Sequence, residues 1–109
     1  MKAPAAAPEP FTVVVEAVSW VNRFLGGTGS GNMELEEMVQ PGETVRGLLR
    51  RLTEVHPRLR EALWDTSSEE LGAHIEIVVN DAILGIEHTL DSPLNPGDRI
   101  ILMGQFIGG

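Results

Sequence analysis

The sequence predicts an α+β fold in which a sheet of four to five strands packs on one main helix, and three observations predict it. Residues 11–18, FTVVVEAV, are β-branched and apolar behind Pro10, the composition of an interior strand. Val45, Leu48, Leu49 and Leu52 recur at helical spacing behind Thr44, giving one apolar stripe with an N-cap at its head. Ile75, Ile77 and Val79 alternate with His74, Glu76 and Val78, the period of a strand with one face in the core.

In chain order, residues 1–10, MKAPAAAPEP, read as a disordered, proline-rich lead-in; the short alanine run is broken by prolines and lacks the continuous apolar stretch of a secretory signal. The first strand, Phe11 to Val18, is followed by a short helical turn at Trp20 to Leu25. Gly26 to Asn32, GGTGSGN, reads as a flexible loop. Met33 to Val39 forms a second strand with Met33, Leu35 and Val39 on one face, ended by the turn dipeptide Pro41-Gly42. The main helix runs from Thr44 to about Val55, where Pro57 stops it. Gly47 stands where a capping-box glutamate would close the cap, so the helix depends on packing. A second short helix is expected around Arg58 to Trp64, then a polar loop at Asp65 to Ser68. After the strand at His74 to Asn80, Asn80-Asp81 makes a turn and Ala82 to Ile86 returns as an edge strand. The turn NPGD, Asn95 to Asp98, leads into the last strand, Arg99 to Met103. There Ile100 and Leu102 face the helix, and Ile101 and Met103 face outward.

One domain is expected from 109 residues, a length that buries about 60–70% of the unfolded surface. The net charge of -8 disfavours nucleic acid and favours a basic protein partner. The longest apolar runs are too short to span a bilayer. Without cysteine there are no disulfides, thiolate metal sites or thiol nucleophiles, a composition compatible with a reducing cytoplasm. Seven of the eight basic residues are arginine, and the lone lysine is Lys2.

The remaining constellations are bland. Gly26 to Gly31 begins like a phosphate-binding loop, but Asn32 stands where the lysine belongs. His56, His74 and His88 lack paired metal-ligand spacing. Neighbouring Glu36 and Glu37 point to opposite faces of a strand, and Glu69-Glu70 reads as solvated charge. No GxSxG elbow or Ser/His/Asp arrangement stands out. These readings predict a protein with no active site, no bound cofactor and no metal.

The chain ends on MGQFIGG. Two final glycines arise by chance about once in 83 chains of this composition. Together with PGETVRGLLRRL at the helix entry, VHPRLREAL after it, IEIVVND in the third strand and LNPGDRIILMGQFIGG at the end, this ending resembles the MoaD/ThiS family of ubiquitin-like sulfur carriers, from Phe11 to Gly109. The segment at His56-Pro57 is similar to the molybdopterin synthase small subunit; Asn80-Asp81 and the length are similar to the ubiquitin-related modifier family. The family often places prolines before the diglycine, whereas this chain has Gly104-Gln105-Phe106.

The resemblance implies a β-grasp fold, with a mixed sheet on one principal helix and a flexible tail from about residue 104. It implies that an E1-like adenylating enzyme uses ATP to activate the Gly109 carboxylate, and that a sulfurtransferase supplies the sulfur of a C-terminal thiocarboxylate. The acceptor would be the molybdopterin synthase large subunit or another enzyme. Thiamin and tRNA thiolation, and conjugation of Gly109 to target lysines, are the alternatives. Gly108, lacking a Cβ, would let the tail thread a narrow channel. Ile101, Met103, Phe106 and Ile107 form the expected docking patch. A folded body without lysine or cysteine would limit attack by the chain on its own activated terminus.

Overall fold

The computed structural model describes residues 9–64, 70–72 and 75–104. Of the expected lead-in only Glu9 and Pro10 are described, both exposed and outside regular structure. Phe106, Ile107, Gly108 and Gly109 lie outside the described residues, as do His74 and the expected polar loop at Asp65 to Ser68.

Five strands form one sheet: β1 (Phe11–Val18), β2 (Asn32–Val39), β3 (Ile75–Val79), β4 (Ala82–Ile83) and β5 (Arg99–Gly104). Their spatial order is β2-β1-β5-β3-β4. β1 and β5 lie parallel at the centre, with Val15 beside Ile100 and Val18 beside Met103; the other pairings are antiparallel. The sheet is thus mixed, with the first and last strands adjacent, as the β-grasp arrangement requires.

Helix α1 (Val45–Val55) covers one face. Thr44 caps it, its hydroxyl accepting from the Gly47 N–H at 3.1 Å, which satisfies one of the donors left over in the first turn. Val45, Leu48, Leu49 and Leu52 are buried with Val13, Val15, Ala17, Ile75, Ile77, Val79, Ile100 and Leu102 in one core. Burying each such leucine contributes about 1.5–3 kcal/mol, so the stripe supplies what the half-made cap does not. His56 ends α1 and Pro57 begins α2 (Pro57–Leu63). That is one residue earlier than expected, because proline fits the first helical position, where no N–H is needed.

The edge strand β4 is shorter than expected. Asn80 and Asp81 have φ of 48° and 75°, the two left-handed residues of a tight hairpin turn. The chain then pairs only through Ala82 and Ile83, with the Leu84 N–H donating to Ile77 O at 2.9 Å. Gly85, at φ 104°, turns the chain away, and its N–H donates to His88 O at 2.6 Å, leaving Ile86 outside the strand.

The segment after β1 is a 3₁₀ helix, Ser19–Leu25. It supports the glycine-rich loop, which is less free than its composition implies. Asn22 is 2% exposed; its amide donates to Ser30 O at 2.9 Å and Gly31 O at 3.2 Å, and its carbonyl accepts from the Gly29 N–H at 2.6 Å. One buried side chain therefore replaces the ladder that the loop cannot form for itself.

Candidate functional site

The side chains of β5 divide as period two demands. Ile100 and Leu102 are fully buried against the helix side. Ile101 is half-buried and Met103 is 39% exposed on the opposite face. Of the expected docking patch, these two are the described members; Phe106 and Ile107 are not described.

Strand pairing places further apolar residues around them. Ile101 lies between Glu16 of β1 and Val78 of β3, and Val78 lies opposite Ile83 of β4. Met103 lies between Val18 and Glu76. The outer face thus carries Val18, Val78, Ile83, Ile101 and Met103. The signal for the added members was present in the alternation of β1 and β3, which opposes Val18 to Ala17 and Val78 to Ile77 and Val79.

Carboxylates border this patch. Arg99 Nη1 donates to Glu16 Oε1 at 2.6 Å and to Glu34 Oε2 at 2.8 Å, and Asn32 Nδ2 donates to Glu16 Oε2 at 2.6 Å. The hydrogen bond to Glu34, then that to Glu16, hold the Arg99 guanidinium charged above its usual range. Glu36 is exposed on the same face, beside Val14. An apolar centre with an acidic border suits a partner presenting apolar and basic side chains.

β5 runs one residue beyond the expected strand end. Gly104 pairs with Ile75 of β3, and a Cβ added to it would overlap the indole of Trp20 at Nε1 and Cε2 and lie 2.6 Å from Cζ2. Gly104 is therefore required by a neighbouring ring. Gly104, the last described residue, lies at the end of the central strand β5, next to Met103.

Elsewhere there is little chemistry. A cleft of about 440 Å³ is lined by Arg46, Glu70, Leu84 and Asp91 among others. Its arginine is engaged by Asp91 at 3.1 Å and Glu70 at 3.8 Å. Among the described residues no group of three or more His, Asp or Glu is placed to hold a metal ion, and no helix is long and apolar enough to cross a membrane.

No protein-family model matches the chain, and no curated protein matches it. Solved structures do. SAMP1 from Haloferax volcanii superposes with a TM-score of 0.69 at 21% identity, over 90% of this chain and 99% of that one. A putative molybdopterin converting factor subunit 1 from Pyrococcus furiosus gives 0.62 at 20% identity, over 88% and 99%. A chain of the BexX/CysO complex from Amycolatopsis orientalis gives 0.63 at 21% identity, over 89% and 99%. At these identities the likeness establishes the fold: the chain has the β-grasp fold of these small proteins across nearly its whole length.

Proposed function

We propose that the chain belongs to the MoaD/ThiS group of ubiquitin-like sulfur carriers and acts through the carboxylate of Gly109. The observation that carries this reading is the position of β5: a central strand of a β-grasp sheet that leads from an apolar outer face, through Gly104, to the sequence GQFIGG. A carboxylate is a poor electrophile because its charge is delocalised. An adenylating enzyme using ATP would join it to AMP with loss of pyrophosphate, and a sulfur nucleophile would then displace AMP to leave a thiocarboxylate. The chain's own contribution is geometric. Gly108 and Gly109 allow a narrow channel to close around the backbone, and the folded domain presents the carboxylate on a short tether.

In this reading the chain is a protein substrate and carrier, working in the cytoplasm with no stably bound cofactor. Its partners are an E1-like adenylating enzyme, a sulfurtransferase and an acceptor enzyme, docked over Ile101, Met103, Phe106 and Ile107. Molybdopterin synthesis, with the chain as small subunit and a larger subunit as acceptor, is the pathway we favour. The similarity to a putative molybdopterin converting factor subunit supports it. Conjugation of Gly109 to target lysines is the second reading, supported by the similarity to small archaeal modifier protein 1.

Intact-mass measurement after incubation with ATP, an adenylating enzyme and a sulfur source separates the two. Replacement of one oxygen by sulfur at Gly109 is expected. Adducts on other proteins without that replacement would favour the modifier, and an unchanged mass would refute both.

A further inference from the structure

The rung after Val18↔Met103 would pair Ser19 with Gly104. It does not form. Ser19 adopts φ 62°, a left-handed conformation that a non-glycine residue holds only under constraint, and its N–H donates to Gly31 O at 2.8 Å. Gly31 O in turn accepts from the buried Asn22 amide. The turn at Ser19 redirects the chain and lays the next residue, Trp20, across the end of β5.

A second ring packs against the indole. Phe24 meets it edge to face, with ring centroids 5.9 Å apart and planes at 87°, and the Arg58 guanidinium of α2 lies 6.0 Å from the Phe24 ring centroid. The indole approaches Gly104 more closely than any residue with a Cβ allows. Gly104 thus lies in β5 under an aromatic cover, paired on one side with Ile75 and without a rung to β1 on the other. Gly109 is the fifth residue after it, so the Gly109 carboxylate lies within about 17 Å of this point however the tail runs.

We propose that Trp20 is a positioning residue: its indole, resting on the backbone of Gly104, holds that residue in β5 as the anchor point of the tail, and so raises the fraction of docked encounters in which the Gly109 carboxylate enters the activating enzyme. The proposal rests on the sulfur-carrier reading of Gly109. Trp20 touches no reacting atom. Its effect is on orientation after docking, whose outer-face contacts at Ile101 and Met103 it leaves untouched.

The test uses the full chain and the E1-like adenylating enzyme encoded in the same genome, with ATP-pyrophosphate exchange as the kinetic readout and the ¹⁵N order parameter of the Gly104 amide as a readout independent of activity. Trp20→Ala should lower kcat about tenfold and leave KM within about twofold. The Gly104 order parameter should fall from about 0.85 to below about 0.6. Trp20→Phe should restore most of both. Gly104→Ala, which expels the indole, should match Trp20→Ala, and the double variant should be no worse than either single one. If Trp20→Ala fails to fold, Trp20→Leu, which keeps the bulk without the plane, replaces it.

An unchanged order parameter at Gly104, a loss confined to KM, or multiplying effects of the two substitutions would overturn the proposal. If the wild-type chain is not activated at all, the sulfur-carrier reading falls, and the Gly104 order parameter still decides whether Trp20 holds the strand end.

Discussion

Asn80 and Asp98 join the end of β3 to the start of β5, at one end of the strand pair that forms the centre of the outer face. The Asn80 side-chain amide donates to Asp98 Oδ1 at 2.8 Å, while its carbonyl accepts from the Arg99 N–H at 2.9 Å. Asp98 Oδ2 accepts from the Asn95 N–H at 2.8 Å. A hairpin turn after β3 is thereby fastened to the turn that opens β5, and the register Val78↔Ile101 is held at its start.

Replacing Asp98 should therefore be costly although it lies in a turn. The residue is 7% exposed, and Asp98→Ala removes two hydrogen bonds while leaving the Asn80 amide without its partner. A loss of about 2–3 kcal/mol is expected. Urea unfolding should show a lower midpoint with an unchanged m-value; a midpoint equal to that of the wild type would show that the turn is held by other contacts.

Asn22 offers a comparable test in the glycine-rich loop. Asn22→Ala deletes three hydrogen bonds to residues 29–31 and is expected to cost about 2–4 kcal/mol. The amide of Gly29, which donates to Asn22 Oδ1, should exchange with solvent at least tenfold faster. Retained protection at Gly29 would mean that the glycines order themselves.

What was legible in the sequence follows the range of the interaction concerned. The division of Ile100 and Leu102 from Ile101 and Met103, the Thr44 cap and the α1 stripe all depend on periods of two or about four residues, and each is found in place. Asn22 was hidden because its partners lie seven to nine residues away and because a lone asparagine in SWVNRFL has no periodic signature. The truncated edge strand depended on Gly85 adopting a positive φ, which a glycine permits without announcing. The parallel pairing of β1 with β5 joins the two ends of the domain, and only the likeness to a known family pointed to it. The contact between Trp20 and Gly104 crosses the same distance in sequence, so the glycine read as part of a loose tail is a packed strand residue.

The outer face separates docking from folding. Ile100→Ala removes a fully buried side chain and should cost about 2–4 kcal/mol. Its neighbour Met103 is 39% exposed, so Met103→Asp should change stability by less than about 1 kcal/mol while weakening binding of the adenylating enzyme tenfold or more. Thermal unfolding and isothermal titration on the same two variants check both halves. An unfolded Met103→Asp would place that residue in the core and remove the proposed docking patch.

Deleting Gly109 tests the tail apart from the domain. The described core, the α1 cap and the five-strand pairing all lie within residues 9–104, so the deletion should leave the unfolding temperature within about 1 °C. Docking over Ile101 and Met103 should persist, because both residues lie within β5 and the deletion leaves them untouched. Activation should nonetheless vanish: the new terminal carboxylate, on Gly108, is chemically equivalent but sits one residue, about 3.5 Å, short of its former reach, and misplacement on that scale abolishes productive attack. Binding retained with pyrophosphate exchange lost is the expected pair of results. Exchange that continues at the wild-type rate would show that the length of the tether is immaterial and that Gly109 is not the reacting residue.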